Sequence, residues 1–196
     1  TMGSCQGDKD PLLANDNILI DKIISTFRFI EAIDTSNWQT YRNEKYGFEV
    51  KYPPEWKIWK YVRGENIVDH IVLASGEESE LEMAPRNWRD SYGSVRIRIV
   101  EAPLFTQRPY GKFPIPKTLD DILAIEKSDP HRFSIVSKTV EISSQSALIV
   151  EKRLSGGHES TSAYLLNNRN IYTIETTEES VLLEFDQILS TFRFLE

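Results

Sequence analysis

The sequence predicts an α+β fold: a twisted, mainly antiparallel sheet of about six or seven strands, the usual range, flanked by helices. Three observations predict it. Phe48, Val50 and Tyr52 alternate with Glu49 and Lys51, the period of a strand with one face in a core and the other in solvent. Four strand-like runs follow one another in Phe133–Ile142, Gln145–Leu154, Thr161–Asn167 and Ile171–Thr176, separated only by turn residues, which is the pattern of an antiparallel meander. Two stretches, Thr118 to about Lys127 and Thr176 to about Leu189, carry apolar residues at helical spacing behind cap residues.

In chain order, Trp38–Arg42 and the Tyr46–Tyr52 run form a hairpin around Asn43-Glu44-Lys45, with Gly47 opening the second strand. Pro53-Pro54 closes it, because proline cannot donate to a ladder, and Trp56–Val62 and Ile67–Leu73 are the next strands. Ser75–Ser91 lacks periodicity, carries the acidic run Glu77 to Glu82, and reads as a long loop. Ser94–Glu101 is a strand whose Arg96 and Arg98 share a face, where they are expected to pair with acidic neighbours across the sheet. Ala102–Lys117 holds four prolines among Phe105, Tyr110 and Phe113 and reads as irregular. Thr118 with Asp121, and Thr176 with Glu179, are expected capping boxes, and Thr191–Leu195 is a final strand. Phe192 is expected in the core.

The sequence contains an internal repeat. Asp21–Glu31, DKIISTFRFIE, matches Asp186–Glu196, DQILSTFRFLE, at eight of eleven positions and without a gap. The spacing from Asp21 to Asp186 is the length of a whole domain, so the match indicates a tandem array of one domain. Residues 1–31 therefore read as a polar leader followed by the remnant of a preceding repeat, and 32–196 as the domain itself. Asn17–Ile24 is expected to be helical and Thr26–Ile30 extended, docked on its own chain, with a domain-swapped dimer as the alternative to a monomer.

The Tyr-Gly-Phe strand, the Tyr-Pro-x-x-Trp that follows it, and the helix ending in Ile188–Phe194 resemble the PsbP-like family from about Trp38 to Glu196. That family includes the extrinsic photosystem II subunit of chloroplasts, a Ran-binding nuclear-import factor and many bacterial surface lipoproteins. The resemblance implies a PsbP-like α/β sandwich and an extracytoplasmic location on a cell surface or in secretion. Thr1-Met2-Gly3-Ser4 reads as an expression scar; the alternative is that Met2-Gly3-Ser4-Cys5 is the remnant of a lipoprotein box acylated on Cys5.

With 196 residues and 40% hydrophobic content the domain can bury a core, and a formal charge of −7 argues against nucleic acid as partner. One cysteine excludes an intrachain disulfide, and no apolar run approaches the roughly 20 residues that span a bilayer. No catalytic motif is present: there is no GxSxG, HExxH, CxxC or phosphate-cradling loop. No catalytic residue and no cofactor are assigned. Of His70, His131 and His158, only His158 beside Glu159, after Gly156-Gly157, is a metal candidate. Plant members of the family carry metal-binding histidines, but no motif places them on these positions.

The expected function is a noncatalytic binding or scaffold module whose partner is a protein or surface component. Trp88, Tyr92, Phe105, Tyr110 and Phe113 are the candidate contact residues, because rigid aromatics on irregular loops form hot spots. The alternative is a hydrolase with a site built from the 75–91 and 102–117 loops.

Overall fold

The computed structural model describes residues 34–60, 69–75, 94–108, 111–129, 132–154 and 159–195. The chain divides between Ile33 and Asp34, and all described residues belong to the unit Asp34–Glu196. The leader and the first copy of the repeat, Asn17–Ile30 included, lie outside the described residues.

The fold is α+β with two main sheets. The larger has seven strands in the order β3 (Trp56–Lys60), β4 (Asp69–Ser75), β5 (Ser94–Glu101), β11 (Asn170–Thr176), β10 (Glu159–Asn167), β9 (Gln145–Leu154) and β8 (Arg132–Ile142). All its pairings are antiparallel. After β5 the chain crosses to the far edge and meanders back, so that β11 meets β5. The meander read from the sequence is present, and its first turn is a two-residue one: Ser143 and Ser144 both have positive φ, between Ile142 and Gln145, which pair.

The opening hairpin forms a separate sheet, β1 (Gln39–Asn43), β2 (Phe48–Tyr52) and β12 (Arg193–Phe194) in the order β1-β2-β12. The single sheet expected from the sequence is thus divided. Pro53-Pro54 makes the division, because it ends the ladder of β2 before Trp56 begins β3.

Helix α2 (Leu119–Lys127) has the capping box expected of Thr118 and Asp121. The last helix, α3 (Leu182–Thr191), has no such box. A 3-10 turn, Glu179–Val181, precedes it, and Thr176 stays in β11, where its Oγ1 accepts from the Glu178 N–H at 3.2 Å. Ala102–Lys117, expected to be irregular, contains a one-turn helix α1 (Ala102–Phe105) and a small hairpin, β6 (Gln107–Arg108) with β7 (Gly111–Lys112). Pro103 is compatible with α1 because it sits in the first turn, where its missing N–H has no helical partner to lose.

Two cores result, one on each face of the large sheet. The first packs Ile71, Leu73, Ile97, Ile99, Ala163, Leu165 and Ile174 against β2 and α3, with Phe48, Phe185, Ile188 and Phe192 all at 0% exposure. The second packs Leu148, Val150, Tyr164 and Ile171 under α1 and α2, through Phe105, Ile122 and Ile125. Each large apolar side chain in these clusters contributes about 1.5 to 3 kcal/mol by leaving water.

Candidate functional site

Polar side chains gather on the α2 side of the large sheet, beside the second core. The register places His70, Arg98, Thr173 and Tyr164 in one cross-strand row and Val72, Arg96, Glu175 and Ser162 in the next. Glu175 is buried, and its carboxylate accepts from Arg98 at 2.5 Å with Arg96 at 3.9 Å. Burial is the largest single effect on its proton affinity and raises its pKa. Arg98, Lys152, Arg96 and His70 together outweigh burial and hold the group below the ordinary carboxylate range. Glu178 goes the other way: burial pushes it up, and Arg96 opposes only in part. The expected pairing of Arg96 and Arg98 with an acidic neighbour is thus present, through one buried carboxylate.

A second ionic group lies under α2. Lys152 Nζ bonds Glu126 at 3.2 Å and the Tyr164 hydroxyl at 3.3 Å, and the Glu126 side chain is 0% exposed. A carboxylate in the last turn of a helix opposes the helix dipole, and the Lys152 ammonium offsets that charge.

A third group sits on the small sheet. Glu49 is buried, contrary to the solvent-facing position expected from the alternation, because Arg193 and Arg42 converge on its carboxylate.

The chemistry available in these rows is that of closed ion pairs. Ser160 and Ser162 have buried hydroxyls that find no hydrogen-bond partner among the described residues. Ser162 faces Glu175 across the ladder, and no hydrogen bond joins their side chains. Among the described residues, no group of three His, Cys, Asp or Glu side chains gathers that could hold a metal ion.

Of the five candidate aromatics, Phe105 is 7% exposed and packs edge-on against Tyr164, so it is a core residue and not a surface contact. No sequence signal marks this, because the one-turn helix that turns Phe105 inward has no periodicity of its own. Phe113 is half-buried against the same core. Trp88, Tyr92 and Tyr110 lie outside the described residues, as do His131 and His158. Glu159 is exposed and bonded to Arg153 at 2.5 Å. His70 lies in β4, as expected.

No family model matches the chain, and no curated protein matches it. Among solved structures, the chain is similar to the solution structure of cyanobacterial PsbP (CyanoP) from Synechocystis sp. PCC 6803. Identity is 19% and the TM-score 0.49, over 80% of this chain and 92% of that one. The likeness says nothing of activity or partner. Among the described residues, no helix is long and apolar enough to cross a membrane.

Proposed function

We propose that this chain is a noncatalytic binding or scaffold module of a bacterial cell-surface or secreted protein, and one unit of a tandem array. The observation that carries the noncatalytic part is that Glu49, Glu126 and Glu175, the buried carboxylates among the described residues, are each held by cations of the fold itself. Such groups fix strand register and helix docking. The match of Asp21–Glu31 to Asp186–Glu196 supports the array, with the domain running from 32 to 196 and the closing segment of a preceding unit before it. The surface location rests on the lipoprotein branch that the Tyr-Gly-Phe and Ser-Thr-Phe-Arg-Phe motifs resemble.

The partner face is proposed around Phe113, with Trp88, Tyr92 and Tyr110 as the other anchors, for a protein or another surface component. A metal at His158 and Glu159 would have to displace Arg153 from Glu159, an exposed pair of small worth. No specific observation favours the hydrolase reading: of its two loops, 102–117 carries an α1 docked in the core and 75–91 lies almost wholly outside the described residues.

Protease treatment of intact source cells tests the location. Peptides of this domain are expected in the supernatant before lysis; peptides that appear only after lysis would contradict a surface module.

A further inference from the structure

The seven-stranded sheet ends on two unequal edges. At one lies β3, of five residues, and at the other β8, of eleven. The outer strands of the small sheet are short as well, five residues in β1 and two in β12. A short edge strand is a common guard against unwanted pairing, and β8 lacks it. It pairs with β9 from Arg132 to Ile142, with one irregularity between Arg132 and Ser134, and no described strand pairs with its outer side.

The strand is fixed at its ends and open between them. Ile135 packs on the second core, and Val140 and the buried Ile142 on the first. In the turn that follows, the Ser143 hydroxyl donates to the Phe192 carbonyl at 2.7 Å. Every residue from Val136 to Thr139 is exposed, and Val136, at 61%, is the most exposed large apolar side chain among the described residues. An edge already ordered in this way lowers the cost of adding another strand. The register sorts its side chains: Val136, Lys138 and Val140 stand on the side of the first core, Ser137, Thr139 and Glu141 on the other.

We propose that the outer edge of β8, from Ile135 to Glu141, docks an extended segment of a partner protein as an eighth, antiparallel strand. The segment that fits has a carboxylate opposite Lys138, apolar side chains opposite Val136 and Val140, and a basic residue opposite Glu141. Charge favours such a partner over a second copy of the chain. Two copies of β8 paired antiparallel about Lys138 set both ammonium groups opposite each other, and pairing about Ser137 or Thr139 leaves them diagonal neighbours. The proposal rests on the reading of the chain as a binding module, but it uses β8 and not the face around Phe113, so either surface can fail alone.

The capped peptide Lys-Val-Thr-Glu-Thr-Val-Thr carries these residues in antiparallel order, and its binding to the full chain is read by amide hydrogen exchange. At about ten times the dissociation constant, exchange is expected to slow about tenfold at the outward amides of Ile135–Glu141 and to stay unchanged around Phe113. Lys138→Glu, an exposed change, is expected to weaken the peptide about fivefold, the size of one cross-strand charge pair, and a peptide with Lys in place of its Glu is expected to restore binding. N-methylation of the peptide amides that face β8 is expected to abolish it. No protection up to the solubility limit of the peptide, protection centred elsewhere, binding that survives N-methylation, or an affinity indifferent to Lys138→Glu overturns the proposal. A concentration-dependent dimer of the peptide-free chain with the same amides protected also overturns it, in favour of a second copy.

Discussion

Burial raises the proton affinity of Glu175, and the cations around it lower it by more, so its folded pKa lies below its unfolded value of about 4.3. A depressed folded pKa contributes stability that is present above the unfolded pKa and is lost as pH falls through the folded one. Glu175→Gln is therefore expected to destabilise the domain at pH 7 by about 1 to 3 kcal/mol, less than a fully buried pair because a third of the Arg98 side chain meets solvent. Urea midpoints at pH 7 and pH 3 check this; a gap between variant and parent that fails to narrow in acid would contradict the assignment. Phe48 is the other decisive residue, since Tyr41, Tyr172 and Phe192 all pack on its ring. Phe48→Ala is expected to cost about 3 to 5 kcal/mol in denaturant unfolding, as large-to-small changes in a tight core do. Gly47 has φ +63 and open space where a Cβ would stand, so Gly47→Ala meets backbone strain and no clash. Its expected cost is about 1 to 2 kcal/mol by the same measurement.

At the scale of elements, α2 is docked by apolar contacts and by one buried ion pair. Lys152→Met removes the ammonium bonded to the fully buried Glu126 carboxylate and is expected to lose about 3 to 5 kcal/mol. Glu126→Leu combined with Lys152→Met is expected to recover most of that loss, and a double variant no more stable than the single one would show that the pair also orients the helix. Much of this level was legible in the sequence. Ser94–Glu101 and Gln145–Leu154 appear with the bounds their alternation predicts, and Thr118 caps α2 through Asp121 because that cap is a purely local geometry. Thr176 misleads for a related reason: the same Thr-x-x-Glu spacing occurs, but pairing with Thr161 holds Thr176 in β11 and the helix begins later. The division into two sheets was not legible, since alternation fixes which side of a strand is buried and not which strand lies beside it. Glu49 and Phe105 were misplaced by the same limit. Their burial depends on Arg193, at the other end of the domain, and on Tyr164, far along the chain in β10, contacts that no local pattern reports.

For the whole molecule, the two cores lie on opposite faces of one seven-stranded sheet, and the C-terminal strand closes the smaller sheet over the first of them. The aromatic contacts and the array were suggested by sequence alone, the first by loop composition and the second by the match between Asp21–Glu31 and Asp186–Glu196. The array is the part of the proposed function that concerns the whole molecule. Intact mass of the natural product that carries this domain, taken from its source cells, tests it most directly. The account predicts a chain long enough for at least two whole units, with peptides of the Ser-Thr-Phe-Arg-Phe segment recurring at the spacing that separates Ser25 from Ser190. A natural product with room for a single such unit would contradict it.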